Sequence, residues 1–476
     1  MPDIGDDIFF ASILELNQRL RAKEFSAVEL TRAFCDRLEK LGARYNALAL
    51  SLRERAMRQA KEVDGDLSRE RYRGPLQGIP FGAKDLLSVA GEITTWGAKP
   101  FAAQVFDYDA TVLTKLAKTG AILTGKLAMV QLAGGGGYRY PAASMFGAGL
   151  NPWDRTRWSG GSSSGAGSAV AAGLVPYALG SETSGSILTP SAYCGVTGLR
   201  PTYGLVSRHG AMPLSWTMDK IGPMCRTAED CGVVLRTIAG KDDNDPATAG
   251  KSFYFSPQFA REMKTIRVGF APVDFNDWAE PATRPVFQQA LDAFKSLGVT
   301  LVETKLPLFP YSAVTRTVIS TEGSSVFEDL IESGRVDQLA DKKQIAGLRA
   351  GLEIPARDYL KAMRIRRLMQ QEFRRMMTSV DVLIAPTRHN VASKLTEPLD
   401  GPPSMPLTPN RDPGFTPLIG ASNLVGYPAL SLPCGLVDGL PVAIQLVSRP
   451  FTENLILSMG MAYQKTTNHH RARPKV

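Results

Sequence analysis

The stretch from Ser159 to Pro201 leaves few ways to fold. It opens SGGSSSGAGSAVAAG, runs through LVPYALG and continues SETSGSILTPSAYCGVTGLRPT. The first part reads as a Gly/Ser loop entering a helix of small residues. A short apolar strand follows, then a second tight loop in which Ser186 sits among Gly and Ser. One helix and one strand between two hydroxyl-rich loops can bring those loops face to face. This is the layout of a serine-based active site, provided a proton acceptor exists elsewhere in the chain.

The acceptor is hard to find among the usual groups. The GSSSG at Gly161–Gly165 matches GxSxG, which would make Ser163 the nucleophile of an α/β-hydrolase-type esterase. An elbow of that kind follows an apolar strand, whereas the polar NPWDRTRW precedes this one. The histidines are His209, His389, His469 and His470, the last two in a polar tail. No HExxH, SxxK or paired-cysteine spacing is present, so the motifs of metallohydrolases and penicillin-binding enzymes are missing. Gly120 to Lys126 approaches GxxxxGK, but Leu127 stands where a magnesium-binding hydroxyl is needed. One other group stands out: Lys84, inside the apolar run FGAKDLL. A lysine in such a setting ordinarily reaches out to water, and only full burial would turn it into a base.

Along the 476 residues, strands alternate with helices, which predicts an α/β fold with a mixed, mostly parallel sheet covered by helices on both faces. Residues from about 10 to 65 read as a helical N-terminal layer, with Ser26 and Glu29 spaced as a capping box. A core spans about 74–240, and residues 265–465 complete the sheet and supply loops, all within one domain over 1–476. Residues 121–125 read as a strand and KLAMVQLA after them as a helix; 209–224 reads as a long loop. The four-glycine loop Gly134–Gly137 suits either a cleft wall, through Gly135 and Gly136, or a plain connection. The run RDYLKAMRIRRLMQQEFRR carries much of a net charge of +9. Its apolar residues fall on one helical side, so it reads as a solvated helix packed inward rather than a nucleic-acid surface. Five scattered cysteines fit a reducing compartment. The acidic start MPDIGDD and the lack of long apolar runs predict a cytoplasmic address without membrane contact.

Three separated segments carry a resemblance to a known family: GIPFGAKDLL around Lys84, GGSSSGAG from Gly160, and ETSGSILTPSAYCGVTGLRPTYG from Glu182. With weaker likeness at NPWD, DYLKAMRIRR and GYPALSLPCG…GLPVAIQLVSRPF, the chain resembles the amidase signature family over nearly its whole length. The resemblance implies a large twisted mixed sheet covered on both faces and a serine amidase acting on linear amides without metal or cofactor. It implies a triad of Lys84, a cis-linked Ser162 and the nucleophile Ser186, with backbone amides of Thr183, Ser184, Gly185 and Ser186 as oxyanion hole. Departures are Leu188 and Ser184, where the family often has arginine and glycine, and Ser164, also a frequent glycine. The expected function is cleavage of a small-molecule amide through an acyl-serine. The alternative is the glutaminase A subunit of a tRNA-dependent amidotransferase, suggested by SRHGAMPLSWTMDKIGP with Asp219 placed to meet an amino group. Nucleic acid is a partner only under that alternative, and a homodimer is compatible with either.

Overall fold

The computed structural model describes residues 5–400 and 412–476. Its centre is an eleven-stranded sheet, β1 (Leu48–Ser51), β2 (Pro80–Lys84), β3 (Ile122–Leu127), β4 (Tyr177–Glu182), β5 (Thr197–Arg200), β6 (Lys220–Cys225), β7 (Arg267–Phe270), β8 (Thr300–Glu303), β9 (Val382–Pro386), β10 (Ala429–Val437) and β11 (Leu440–Ser448). The order across the sheet is β1-β3-β2-β4-β6-β5-β10-β11-β9-β7-β8, and helices cover both faces. Strands from all three predicted stretches therefore pair in one sheet.

The sheet is mixed but not mostly parallel. The β2–β3, β2–β4, β7–β8 and β7–β9 pairings are parallel, whereas the other six are antiparallel. The reason is local: the crossovers through the helices Leu188–Cys194 and Leu418–Val425 each skip one strand. The skipped places, between β4 and β5 and between β9 and β10, are filled antiparallel by β6 and by β11, the latter through a tight hairpin with β10. Three further expectations fail. Residues 48–51, inside the supposed helical layer, form edge strand β1 against β3. KLAMVQLA is not a helix, because β3 continues through Leu127 and is followed by extended chain and one short turn, Gln131–Gly134. The supposed loop 209–224 ends in β6, buried at all six positions and paired with β4 from Tyr177↔Cys225 to Glu182↔Lys220.

The capping box at Ser26 forms as predicted: the Ser26 hydroxyl accepts from the Glu29 N–H, and the Glu29 carboxylate accepts from the Ser26 N–H. The basic run is the helix Ala356–Met376, which turns Ala362, Met369 and Phe373 inward. All five cysteines are free and buried. No helix among the described residues is long and apolar enough to cross a membrane. Residues 388–417, with seven prolines, would be expected to form an irregular excursion, and part of it, 401–411, lies outside the described residues.

The topology decides where chemistry can happen. Because β2 and β4 run side by side in the same direction, with Ala83 opposite Leu179, their C-terminal ends open at the same edge. The first carries Lys84 to that edge and the second carries Ser181 and the loop after it. Crevices at the carboxyl ends of adjacent parallel strands are where α/β sheets place ligands.

Candidate active site

Lys84, the last residue of β2, is fully buried. Its Nζ donates to Ser162 Oγ at 2.7 Å and to Ser181 Oγ at 2.9 Å. Burial pulls its pKa down to about 7, against an opposing pull from the carboxylates of Asp219 and Glu182. The lysine therefore does not snorkel; it is held where a neutral amine is accessible near neutral pH.

Ser162 and Ser163 lead into the helix Ser164–Ala171, and the Gly161–Ser162 peptide bond is cis. The helix can begin there only because residue 165 is glycine. A side-chain carbon at that position would stand 2.5 Å from the Ala47 carbonyl oxygen and 2.6 Å from that of Ala128. Ser163, the GxSxG candidate, is fully buried. Its hydroxyl donates to the Ser181 carbonyl at 3.2 Å and accepts from the Ser181 N–H at 3.3 Å. Bound in this way to the backbone of β4, it is not placed to attack a substrate. His389 instead pairs with Asp274 at 3.3 Å.

The second loop meets the first through the Ser163 N–H, which donates to the Ser186 carbonyl at 3.3 Å. Gly185 turns the chain with φ of +100°, a conformation open to glycine. Ser186 is half-buried, and its hydroxyl has no hydrogen-bond partner among the described residues, Ser162 included. Across this loop the N–H groups of Thr183, Ser184, Gly185 and Ser186 likewise have no acceptor among the described residues. The next two amides, of Ile187 and Leu188, donate to Glu182 Oε2 at 2.9 and 3.0 Å.

Glu182 is the anchor of this loop, and it was not singled out in the sequence. Both it and Arg200 are fully buried and pair at 2.8 Å. Asn423 Nδ2 also donates to Glu182 at 2.8 Å, and Arg200 goes on to Ser422 Oγ and the Tyr427 carbonyl. Burial alone would raise the Glu182 pKa; Arg200, Asn423 and the Leu188 amide outweigh it and keep the group ionised. Leu188 itself is fully buried, and the cation that faces Glu182 comes from β5. Replacing Arg200 with methionine should destabilise the fold by about 3–5 kcal/mol, because it leaves a buried carboxylate unpaired. Urea denaturation checks this. A variant as stable as the wild type would show that the ion pair does not hold the loop.

Lys126, from the GxxxxGK near miss, has a different task. It is buried and pairs with Asp85 at 2.9 Å, while Asp85 accepts from the Thr95 N–H at 3.1 Å. The pair fixes the chain just beyond Lys84.

A cavity of about 180 Å³ reaches the site at Ser181 and Thr183. Asp219 lines it, but both carboxylate oxygens are occupied: one accepts from Thr183 Oγ1 at 2.6 Å, the other from the Leu214 and Ser215 amides at 2.8 and 2.9 Å. It ties the loop before β6 to the loop after β4 and has no oxygen left unbonded for an amino group. Gly135 and Gly136 lie behind this wall. Gly135 abuts Leu214, and Gly136 packs on Gln344 and Leu348 of the helix Lys342–Leu352. Neither lines the cavity, whereas their neighbour Ala133 does. Ser181 escaped the sequence reading, although it closes the apolar strand only five residues before Ser186.

The chain thus brings together, at one edge of the sheet, a buried lysine bonded to Ser162 and a loop whose amides from Thr183 to Ser186 have no acceptor among the described residues. The Amidase family model matches residues 29–457, and the chain belongs to the amidase signature family. It is 35% identical, over 99% of its length and all of the relative's, to the A subunit of the glutamyl-tRNA(Gln) amidotransferase of Carboxydothermus hydrogenoformans. Identity to the corresponding A subunit from Methanosarcina acetivorans is 32% over 95% and 96% of the two chains. Among solved structures, the peptide amidase of Stenotrophomonas maltophilia superposes with a TM-score of 0.83 at 30% identity, covering 96% of this chain and 97% of that one. An enzyme acting on carbon–nitrogen bonds follows from these likenesses.

Proposed function

We propose that this chain hydrolyses an amide bond of a small molecule through an acyl-Ser186 intermediate. The observation that carries the reading is the buried contact of Lys84 Nζ with Ser162 Oγ at 2.7 Å, in surroundings that favour the neutral amine. Ser186 turns about its Cα–Cβ bond toward Ser162; contacts of this kind commonly tighten only once substrate is bound. Ser162 takes the Ser186 proton as it passes its own to Lys84, and Ser186 Oγ bonds to the amide carbon. The oxyanion is met by the amides of Thr183 to Ser186, donors already oriented before the reaction begins. The proton returns through Ser162 to the departing nitrogen, the C–N bond breaks, and an amine leaves. Water then adds to the acyl ester by the same relay and releases the acid.

Because the base works as the neutral amine, kcat/KM should rise with pH through about 7 and level off above it. A profile that falls over this range would overturn Lys84 as the base.

A second reading is supported by the relatives: the chain would release ammonia from glutamine as the A subunit of an amidotransferase, with partner chains and tRNA. The full-length match at 35% identity favours it. Assaying the isolated chain with glutamine and with aryl and alkyl amides separates the two. Turnover of simple amides without a partner supports the free-standing amidase; ammonia from glutamine alone, with inert aryl and alkyl amides, supports the amidotransferase reading.

A further inference from the structure

The cavity beside Thr183 has a wall that is largely apolar and whose carboxylates already have partners. Leu86, Met212, Leu214, Trp216 and Ile221 supply most of its apolar side chains. Its two carboxylates are both engaged. Asp219 holds Thr183, Leu214 and Ser215 as described, and Asp245 binds Arg208 through both oxygens, at 3.0 and 3.1 Å. Arg208 is in turn bonded to the Trp216 carbonyl. The remaining lining cation, Lys220, is almost fully buried and its Nζ has no hydrogen-bond partner among the described residues. Burial drives its pKa well below that of an ordinary lysine, so it adds a hydrogen-bonding amine rather than a charge.

We propose that this cavity is the acyl pocket, and that it selects amides whose acyl group is uncharged and apolar, of about the size of a short alkyl chain or one aromatic ring. The inference rests on the amide-hydrolase reading above. A carbonyl held by the amides from Thr183 to Ser186 has this cavity on its Thr183 side, and an apolar substituent there exchanges water for Leu86, Met212 and Leu214. Each methylene buried adds about fourfold to kcat/KM. A γ-glutamyl group would instead carry an ammonium and a carboxylate into the pocket. Both lining carboxylates are already committed, Asp219 to Thr183, Leu214 and Ser215 and Asp245 to Arg208, and burying a charge that lacks a dedicated partner is costly. Lys220 gives the pocket one donor, suited to a single uncharged acceptor on the acyl group.

The test is a set of p-nitroanilides that share one leaving group and differ in acyl group: acetyl, butyryl, benzoyl and γ-glutamyl. For the wild-type chain, kcat/KM should rise at least tenfold from acetyl to butyryl, stay high for benzoyl, and be lowest for γ-glutamyl. In Leu214→Trp, and independently in Met212→Phe, the butyryl-to-acetyl ratio should fall at least tenfold as the pocket fills. A flat or falling series, or γ-glutamyl turned over as well as butyryl, would overturn the assignment. Labelling of the wild type by a small fluorophosphonate separates the two levels. If Ser186 is labelled and the series is flat, the pocket inference alone fails. If Ser186 is not labelled and no anilide is cleaved, the amide-hydrolase reading fails and takes this inference with it.

Discussion

Replacing Ser186 with alanine is expected to lower kcat by a factor on the order of 10⁶, the loss seen when the nucleophile is removed from a serine hydrolase. The fold should hardly notice. Ser186 is half-buried, its hydroxyl has no partner among the described residues, and what binds the loop to its surroundings is the backbone: the Ser186 carbonyl to the Ser163 amide, and the Ile187 and Leu188 amides to Glu182. Alanine keeps all of these. A variant inactive because it is misfolded would show an altered thermal transition; an unchanged transition with lost turnover assigns the loss to chemistry. Residual activity within tenfold of the wild type would remove Ser186 from the mechanism.

Lys84→Met should separate stability from activity in the opposite sense. Bringing a lysine from its ordinary 10.5 down to about 7 costs the folded state roughly 5 kcal/mol at and below pH 7, at 1.36 kcal/mol per unit. The unfolded chain keeps its proton up to about 10.5. Between pH 7 and 10.5 the unfolded state therefore holds a proton that the folded state has lost, and stability rises with pH over that window. Methionine removes this cost and its pH dependence, while giving up the bonds to Ser162 and Ser181, each worth about 1 kcal/mol. The variant should be more stable than the wild type at pH 7, with the gap closing toward pH 10.5, and slower by about 10²–10⁴ as expected for loss of a general base. Urea titrations at pH 7 and pH 9.5, paired with turnover, check both halves. A variant less stable at pH 7 by several kcal/mol would mean that Lys84 is charged and well solvated in the folded protein. Such a gain on removing a working group is the usual trade between stability and activity.

Local chemistry marks a lysine among apolar neighbours and serines flanked by glycines, but the roles proposed for Lys84, Ser162 and Ser186 come from the resemblance of three segments to the amidase signature family. What holds them in place could not be read from the chain. Glu182 reaches Arg200 only through the fold, and Asn423 comes from 241 residues away. Asp219 looked available to a substrate because its three donors are spread from Thr183 to Ser215. Strands are legible in the sequence where β-branched and aliphatic residues run together, as in VLIAP of β9 and LPVAIQLVS of β11. β6 was hidden by Gly222 and Pro223, which break the expected pattern even though they sit inside a buried ladder. KLAMVQLA has helical spacing, yet its first two residues are spent continuing β3 beside β2, so tertiary pairing overrides the local preference. Strand direction was misjudged for a related reason: alternating helices and strands suggest crossovers, but composition does not tell which neighbour a strand will pair with.

The central claim is that the attacking oxygen belongs to the second loop and not to the serine cluster that precedes the helix. The most direct measurement is to label the intact protein with a fluorophosphonate, digest it and locate the adduct by mass spectrometry. One adduct is expected, on Ser186, absent from the Ser186→Ala protein. An adduct on Ser162 or Ser163, or labelling of Ser186→Ala at full strength, would contradict it.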